Sequence, residues 1–514
     1  MPNKNLSTSA LLRILSRWNR WGEARLDSGR LRDIVGMLDP FLDTPEIVAL
    51  VGPRRAGKTT VLFQIMDSLE ASGVPRQALF HVNLEEPALG PELSTELLER
   101  LYTVYRTEIF PEGQAWLFLD EIQRLPGWER WVRARNETDD VRIFVTGSSS
   151  ALMAPELATV LTGRHVTFRV LPLGFREFLR FRGITLPRGV GDPPRMRNAV
   201  GAYLRWGGFP EVVLTDSEQR KKVLLQQYFD DILFKDVALR HRIRDLPTLR
   251  NLAIYLLDQT ASLISFQRLA RVFEISLEAA RTYCAYLEEA FLVSFVPFYT
   301  LKTAERLRRP RKVHAVDLGL RNAVSLTDSP DRGRLVETVT HNALASEEHD
   351  GLYYWKGEGE VDLVVRRGLT VKKLVQVTYE GLENPVVGRR EARSLVEAAK
   401  RFPEAETMLV AYTLPPDDAE ELGVPIVHLW RLLAGGVSGP EVRKAESASQ
   451  RVLEHLRKYG RVTRREVSKL CGLSLQQATR LLSRLLAEKR VTRHGVGRGT
   501  WYALPAESPR ADSR

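Results

Sequence analysis

The octapeptide GPRRAGKT at residues 52–59 combines two glycines with an adjacent lysine and threonine at the spacing G-x-x-x-x-G-K-[ST]. It follows the apolar run IVALV and precedes the helical stretch TVLFQIMDSL, which is the context that a phosphate-binding loop needs. In such a loop, backbone N–H groups close around phosphate oxygens, Lys58 reaches the β and γ phosphates, and the Thr59 hydroxyl binds magnesium. The pattern therefore predicts a site for ATP and Mg²⁺. Its predicted contact residues are Gly52, Gly57, Lys58, Thr59 and Thr60.

Two acidic residues follow a second apolar run, in the segment WLFLDEIQRL. The run predicts a buried strand that carries Asp120 and Glu121 to its carboxyl end, the edge where open α/β sheets bind ligands. Asp120 is predicted to hold magnesium through water, and Glu121 to act as general base for the water that attacks the γ phosphate. The alternative is an acidic helix cap. The phosphate loop upstream favours the catalytic interpretation.

Five short apolar runs from Ile47 onward alternate with helical segments and would position these residues. They are IVALVG, ALFHVNL, WLFLDE, VRIFVTG and HVTFRVL. This alternation is typical of a parallel sheet covered by helices on both faces. A second group of strand-like runs predicts another α/β sheet from about residue 311 to about 432. The fold class predicted from these patterns is α/β.

The length and charge of the chain divide it into domains of different character. A chain of 514 residues is too long for one core, because single cores stop growing near ~250 to 300 residues. The formal net charge is +11, and residues 451–500 hold 13 Lys or Arg against three acids, which leaves 62 basic and 61 acidic residues elsewhere. The basic excess therefore belongs to one small terminal domain and indicates a nucleic-acid partner.

Hydropathy gives an expectation about localisation. No window approaches the ~18 apolar residues of a spanning helix, and the amino terminus lacks the apolar region of a signal peptide. We therefore expect a cytoplasmic protein with no membrane partner.

An internal repeat offset by 198 residues relates residues 264–293 to residues 462–491. Each copy predicts a short helix, a tight turn and a longer second helix, the helix-turn-helix pattern. The second helix of the first copy is acidic overall, which favours a structural role in a lid. The second copy is basic and is followed by a predicted hairpin, so it is predicted to bind DNA, as duplex or junction. Its candidate DNA-binding residues are Gln476, Gln477, Arg480, Arg484, Arg493 and Arg498. The alternative is a solvated basic face on a protein-binding module.

Several segments together resemble a known family. They are DEIQ, the strand end GSSS, LTGRHVTFRVLPLGFREFL, YLRWGGFPEVVL and VDLGLRNAV. In these segments the chain is similar to archaeal and bacterial AAA+ P-loop ATPases with a carboxyl-terminal PD-(D/E)xK nuclease-like domain, over residues from about 15 to 432. A winged helix is added after that region. The resemblance implies an AAA+ core with a helical lid.

The AAA+ resemblance assigns three further roles. Ser148 or Ser149, at the end of the strand VRIFVTG, would sense the γ phosphate. Arg164 would act as an arginine finger in trans, which requires an oligomer, and its alternative role is a cap at a helix carboxyl end. The lid segment ending at Pro210 would contact the nucleotide base, and its alternative is an ordinary lid turn.

The nuclease resemblance rests on Glu337, Asp362, Gln376 and Thr378. Gln376 stands where the family has a metal-binding carboxylate, and Thr378 stands where it has a lysine. A neutral amide binds magnesium poorly, so an inactive fold retained for binding is predicted. A weak metal site at Glu360 and Asp362 stays conceivable.

The predicted domains are a helical segment (1–45), the AAA+ core (46–185), a lid with a winged-helix-like unit (186–300), the nuclease-like domain (301–435), a winged helix (445–505) and a disordered tail (506–514). The predicted function is ATP binding and hydrolysis coupled to DNA binding or remodelling. The first alternative is a slow nucleotide-gated switch that controls a partner protein or operator DNA. The second is an ATP-regulated nuclease.

Overall fold

The computed structural model describes residues 6–22, 26–90, 93–148, 164–187, 194–325, 331–347, 349–357, 359–379, 385–412, 424–435, 448–471, 475–488, 490–495 and 500–505. The chain divides into two units. The first comprises Met1–Pro187, Pro193–Glu348 and Leu352–Tyr354, and the second comprises Arg188–Asp192, His349–Gly351 and Trp355–Arg514.

A five-stranded sheet organises the first unit. Its strands are β1 (Ile47–Val51), β2 (Leu79–Asn83), β3 (Ala115–Asp120), β4 (Val141–Gly147) and β5 (His165–Arg169). They lie in the order β2-β3-β4-β1-β5, and every neighbouring pair is parallel. The five predicted strands and the parallel α/β sheet are therefore confirmed. Because all strands run the same way, the segments that follow β1, β3 and β4 meet at one edge.

Both faces of this sheet are covered, as the continuous apolar runs require. Within β1, Ile47, Ala49 and Val51 belong to one core cluster, whereas Val48 and Leu50 belong to the other. This alternation is the two-residue period of a strand. The covering helices are Thr8–Ser16, Asp33–Leu38, Lys58–Ala71, Thr95–Glu108 and Trp128–Thr138.

The outer strand β2 is protected by a side chain from the amino-terminal segment. Asn19 is fully buried, its Nδ2 donates to the carbonyl oxygen of His81 at 2.8 Å, and its Oδ1 accepts from the backbone N–H of His81 at 2.7 Å. One amide thus satisfies both backbone groups of a strand residue that an edge would leave unpaired.

The rest of the first unit is mainly helical. Its helices are Phe175–Phe181, Pro194–Trp206, Pro210–Leu214, Glu218–Asp231, a π-helical segment Ile232–Leu239, Leu246–Asp258, Phe266–Val272, Leu277–Glu289, Thr303–Arg308, Leu318–Val324 and Arg332–Ala345. Strands β6 (Ser262–Ile264), β7 (Val293–Val296) and β8 (Arg311–Ala315) form an antiparallel sheet in the order β6-β8-β7.

The pairing of β8 corrects one prediction. The second α/β sheet was expected to begin at about residue 311, but β8 pairs with β6 and β7 through backbone hydrogen bonds inside the first unit. The predicted boundary at residue 300 likewise falls within that unit. The local sequence could not show this, because strand partners are chosen by tertiary contacts.

The second unit contains a five-stranded sheet. Its strands are β9 (Gly351–Lys356), β10 (Glu360–Arg367), β11 (Thr370–Thr378), β12 (Glu406–Ala411) and β13 (Ile426–His428), in the order β13-β12-β11-β10-β9. The pair β10–β11 is antiparallel, whereas β11–β12 and β12–β13 are parallel. Helices Pro385–Arg401 and Leu429–Leu433 complete this part.

The carboxyl-terminal part has three helices and a two-stranded antiparallel ladder. The helices are Ala448–Tyr459, Arg464–Cys471 and Leu475–Ala487, and the strands are β14 (Thr492–His494) and β15 (Trp501–Ala503). The second helix begins with a capping box, in which Thr463 N donates to Glu466 at 2.8 Å and Glu466 N donates to Thr463 Oγ1 at 3.3 Å.

The internal repeat is visible in both places as two helices around equivalent buried residues. The buried pairs are Leu269 with Val467, Ala280 with Ala478, and Leu287 with Leu485. Across the described ranges, no helix is both long and apolar enough to cross a membrane.

Candidate nucleotide-binding site

The phosphate loop joins β1 to the helix Lys58–Ala71, and glycines shape both of its ends. Gly57 has φ of +97°, a left-handed conformation that L side chains rarely adopt. A Cβ on Gly52 would lie 2.0 Å from the carbonyl oxygen of Val170, so no larger residue fits there. Both glycines of the motif are thus required by the backbone.

Lys58 is buried at the start of the helix. Its Nζ donates to the carbonyl oxygens of Gly52 and Pro53, both at 3.1 Å, and lies 3.7 Å from a carboxylate oxygen of Glu121. The ammonium group is therefore held at the inner surface of the loop, where phosphate-binding backbone N–H groups gather in proteins of this design.

A hydroxyl and a carboxylate face each other at the edge of the sheet. Thr59 Oγ1 donates to Asp120 at 2.7 Å, and Thr146 Oγ1 donates to the other oxygen of Asp120. Burial raises the pKa of Asp120, while the hydrogen bonds from the two threonines and the charge of Lys58 act against that shift. The donor set is hard oxygen, which is the chemistry that Mg²⁺ prefers.

Glu121 has a strained backbone and a restrained side chain. Its φ is +56°, an uncommon value for a residue with a side chain, and its N–H donates to Thr146 Oγ1 at 2.9 Å. Gln123 Nε2 donates to its carboxylate at 2.5 Å. The Glu121 carboxylate accepts no backbone N–H of the short helix Ile122–Arg124 that follows, so it does not cap that helix.

Ser148, at the end of β4, contacts Asp236, a residue that the sequence did not single out. Ser148 is buried, and its Oγ donates to Asp236 at 2.8 Å. Arg54 Nε lies 3.0 Å from each carboxylate oxygen of Asp236, and Arg54 Nη1 donates to Glu85 at 3.1 Å. Burial raises the pKa of Asp236, although Arg54 and Ser148 oppose that effect. No local sequence signal joins Asp236 to a phosphate loop 182 residues away.

Arg32 is a second residue that the sequence did not single out. Its guanidinium is buried, pairs with Glu177 at 2.8 Å, and donates to the carbonyl oxygens of Ala56 at 2.7 Å and Leu171 at 2.8 Å. Glu177 also accepts from the N–H of Asp33 at 2.8 Å. This ion pair therefore supports the phosphate loop through the hydrogen bond from Arg32 to the Ala56 carbonyl oxygen.

The segment predicted to contact the base borders the phosphate loop. A Cβ on Gly57 would lie 3.9 Å from Pro210 Cγ. The preceding Gly208 is fixed by Asp317, which accepts its N–H at 2.7 Å, and a Cβ on Gly208 would lie 2.3 Å from the carbonyl oxygen of Leu173. Burial raises the pKa of Asp317 to about 6 despite hydrogen bonds from the backbone N–H groups of Gly208 and Leu320.

The remaining predicted ATPase residues lie at the surface or outside the described ranges. Arg164 is half-exposed and pairs with Glu137, which also pairs with Arg133. Its carbonyl oxygen accepts from the N–H of Ile47 at 2.8 Å. Ser149 and the helix expected at 152–161 lie outside the described residues. Thr60, in the first turn of the phosphate-loop helix, is partly exposed.

The predicted nuclease residues occur in both units. In the first, Glu337 lies 2.8 Å from the buried Lys312. In the second, Gln376 Nε2 donates to Glu391 at 2.5 Å, and Gln376 Oε1 accepts from the N–H of Asp362 at 3.2 Å.

The carboxylates of the second unit have further partners. Asp362 accepts from the N–H of Val377 at 3.0 Å, and Glu391 pairs with Arg390 at 2.6 Å. Thr378 is buried, whereas Glu360 is partly exposed and lies 3.9 Å from Lys356. Sequence reasoning missed Glu391, which lies in the helix Pro385–Arg401. No group of three or more metal-ligating His, Cys, Asp or Glu side chains occurs among the described residues.

The structure describes two of the six predicted DNA-binding side chains. Arg493 in β14 is exposed, and Arg484 on the helix Leu475–Ala487 lies 3.8 Å from Glu488. Gln476, Gln477 and Arg480 belong to that same helix, but their side chains fall outside the described part, as does Arg498 entirely.

Comparison with known proteins gives matches to two family descriptions and to several individual proteins. Residues 44–179 match an AAA domain, and residues 197–331 match a domain of unknown function (DUF8612). An uncharacterized protein of Methanocaldococcus jannaschii, MJ1544, is 30% identical over 405 residues, or 75% of this chain and 88% of the relative. An uncharacterized protein of Haemophilus influenzae is 27% identical over 351 residues, or 67% and 85%. A solved structure of a DNA polymerase III gamma-subunit-related protein from Thermotoga maritima is 13% identical with a TM-score of 0.24, over 62% of this chain and 87% of that one.

Proposed function

Because the chain belongs to the same family as the Methanocaldococcus jannaschii protein MJ1544 and contains an AAA domain, we propose that it binds ATP with Mg²⁺ and hydrolyses it. One observation carries this proposal. A buried lysine, a threonine hydroxyl and two acidic residues from separate segments meet at one edge of a parallel sheet, with Thr59 at 2.7 Å from Asp120 and Lys58 at 3.7 Å from Glu121.

Each residue has a role that its position supports. Lys58 would exchange its bonds to the loop carbonyls for the β and γ phosphates, and the glycine-shaped loop would donate its N–H groups. Thr59 and Asp120 would hold magnesium, which supplies charge compensation for the departing phosphate. Glu121 would orient the attacking water and accept its proton. Ser148 would sense the γ phosphate from the end of β4.

The outer parts of the site are proposed on weaker contacts. Pro210, beside Gly57, would contact the nucleotide base. Arg164 would stabilise transition-state charge at the site of a neighbouring copy in a homo-oligomer. In support, its side chain is half-exposed and is held by the surface residue Glu137.

We further propose that the carboxyl-terminal three-helix part is a winged helix that binds duplex or junction DNA. The support is its element order, its antiparallel ladder and its local charge, because 13 of 75 basic residues lie in residues 451–500 beside only three acids. The exposed Arg493 lies on the ladder, where a wing would contact phosphates. ATP turnover would then be coupled to DNA binding or remodelling.

The sheet of the second unit is proposed to be a degenerate nuclease-like fold. In support, Gln376 bonds to Glu391 and Arg390 neutralises that carboxylate, so the oxygens that a divalent cation would need already have partners. An ATP-regulated nuclease is accordingly disfavoured.

A slow nucleotide-gated switch remains the second candidate. It is favoured by the ion pair of Lys58 with Glu121 at 3.7 Å, which must be broken before the proposed base can act. Hydrolysis would then be slow, and nucleotide state rather than turnover would control a partner protein or operator DNA.

Steady-state ATP hydrolysis by the full chain, with and without duplex, forked or single-stranded DNA, separates these candidates. A rate that DNA raises, and that a truncation near residue 440 makes insensitive to DNA, supports the coupled ATPase. A rate unchanged by every DNA supports the switch. Turnover no higher than that of Glu121→Gln overturns the ATPase proposal.

A further inference from the structure

The lid places a buried carboxylate against the residues proposed for catalysis. Asp236 lies in the π-helical segment Ile232–Leu239 and is 5% exposed. π-helical turns are rare and frequently occur at functional sites, since the extra residue redirects side chains that an α-helix would place elsewhere. Here the redirected side chain meets both the phosphate loop and the end of β4.

A chain of hydrogen bonds connects Asp236 to Glu121. Ser148 Oγ donates to Asp236 at 2.8 Å, Gln123 Nε2 lies 3.3 Å from Ser148 Oγ, and the same nitrogen donates to Glu121 at 2.5 Å. The donor and acceptor roles in these three hydrogen bonds are mutually consistent. Because the single Ser148 proton is used by Asp236, Ser148 can only accept from Gln123. That fixes the orientation of the Gln123 amide and turns its second N–H toward Glu121.

The carboxylate of Asp236 also restrains the phosphate loop by pairing with Arg54. Both of its carboxylate oxygens lie 3.0 Å from Arg54 Nε, and Arg54 also bonds to Glu85 beyond the end of β2. Arg54 occupies the third position of the motif, two residues before Ala56 and four before Lys58. Asp236 therefore contacts the phosphate loop directly, at Arg54. It is connected to the proposed base, Glu121, through Ser148 and Gln123.

We propose that Asp236 is a positioning residue that makes hydrolysis depend on the placement of the lid, by orienting Glu121 through Ser148 and Gln123 while it holds Arg54. This inference rests on the proposed ATPase function and adds its regulation. Movement of the Ile232–Leu239 segment would withdraw the acceptor for Ser148, free the Gln123 amide to rotate, and leave Glu121 without a fixed orientation. ATP binding itself depends on Lys58 and the loop N–H groups, so affinity should change little.

The test compares three variants with a matched control in the full chain. Asp236→Asn removes the charge, and Ser148→Ala cuts the connection but keeps the Arg54–Asp236 ion pair. The double variant measures coupling between the two. Asp231→Asn is the control, because Asp231 lies about one turn earlier and pairs with Lys235 at 3.0 Å.

We expect each single variant to lower kcat about 10- to 100-fold with ATP affinity within about threefold of wild type. The double variant should be no slower than the slower single variant, and Asp231→Asn should match wild type. If Asp236→Asn does not fold, Gln123→Met decides the matter by its kcat, because Gln123 joins Ser148 to Glu121 and is assigned no contact with phosphate.

Two results would overturn the inference while leaving the ATPase intact. They are single variants within twofold of the wild-type kcat, or losses that multiply in the double variant, since residues acting through one connection do not add. A wild-type protein that hydrolyses no more ATP than Glu121→Gln would remove the inference together with the proposed function, and this outcome is recognised before any lid variant is made.

Discussion

Each of the two units buries acidic side chains beside its five-stranded sheet, but the two units satisfy those acids differently. At the first sheet, Asp120 accepts hydrogen bonds from two threonine hydroxyls, and Glu121 lies near an ammonium group that bonds only loop carbonyls. At the second, Glu391 accepts from the Gln376 amide and pairs with Arg390, and the carboxylate of Asp362 accepts from the N–H of Val377.

The comparison shows that buried carboxylates alone do not make a catalytic site. The two threonine hydroxyls and the Lys58 ammonium group can exchange these hydrogen bonds for bonds to phosphate and magnesium. At the second sheet, the Gln376 amide is held between the Glu391 carboxylate and the Asp362 N–H, and Glu391 is already paired with Arg390. The first arrangement is suited to binding and the second to holding a fold together.

The largest contrast should appear when one acid is neutralised in each unit. Glu121→Gln should lower kcat for ATP about 10²- to 10⁴-fold, because a neutral amide cannot accept the proton of water. Glu391→Gln neutralises an acid of equal size in the second unit and should leave ATP turnover unchanged. Steady-state phosphate release measures both. Equal losses in the two variants would mean that the comparison is wrong.

Removing one arginine from each unit should separate a buried ion pair from an exposed one. Arg32→Ala strands Glu177 without its partner, and breaking a buried pair in this way costs about 3 to 5 kcal/mol. Arg390 is largely exposed, so Arg390→Ala should cost no more than about 1 kcal/mol. Urea unfolding of both variants checks the difference. A small loss for Arg32→Ala would remove its assigned role in supporting the phosphate loop.

Lowering the pH should destabilise the first unit, because His81 is fully buried in its sheet. Burial lowers the pKa of His81 from 6.5 to about 4. The unfolded chain then binds a proton that the folded chain refuses, so stability is complete above about pH 6.5 and falls as pH drops toward 4. The total loss is about 3 kcal/mol.

Replacing one buried histidine in each unit assigns part of this loss to that unit. His81→Phe should reduce the dependence of unfolding free energy on pH between 6.5 and 4 for the first unit, and the remainder includes His314, whose pKa burial also lowers. In the second unit, burial also lowers the pKa of His428 to about 4, with Arg431 adding to the effect. His428→Phe is therefore the matched variant. An unchanged slope in His81→Phe would show that another group carries the dependence.

Placing a carboxylate at position 376 tests the hydrogen-bonded cluster of Gln376, Glu391 and Arg390 directly. Gln376→Glu would place a new acid 2.5 Å from Glu391, where the amide now donates. The lost hydrogen bond and the repulsion should cost about 1 to 3 kcal/mol at pH 7, and less at low pH where the two acids can share a proton. Gln219→Glu, at an exposed position, is the control. If Gln376→Glu is as stable as wild type, the hydrogen bond from Gln376 to Glu391 does not stabilise the second unit.

The sequence predicted the first sheet well and the surroundings of its site poorly. β1 and β3 were readable because each is a continuous apolar run, a pattern that a strand buried on both faces must have. β2, β4 and β5 mix apolar with polar residues, and β5 is only partly buried. The start of the second sheet was misplaced, since β8 has an equally strand-like sequence and only its pairing with β6 and β7 assigns it to the first unit. The predicted roles of Arg164, Pro210 and the terminal DNA-binding residues stay predictions.

What the sequence by itself determined is the phosphate loop, the acidic strand end and the sheet that carries them. Those features are local, because eight consecutive residues set the loop and one strand sets the acids. Only the tertiary structure decided which side chains surround them. Arg32 pairs with Glu177 across 145 residues, and Arg54 with Asp236 across 182. A buried charge can be satisfied by any partner that folding brings within about 3 Å, so such pairs leave no spacing or period in the chain.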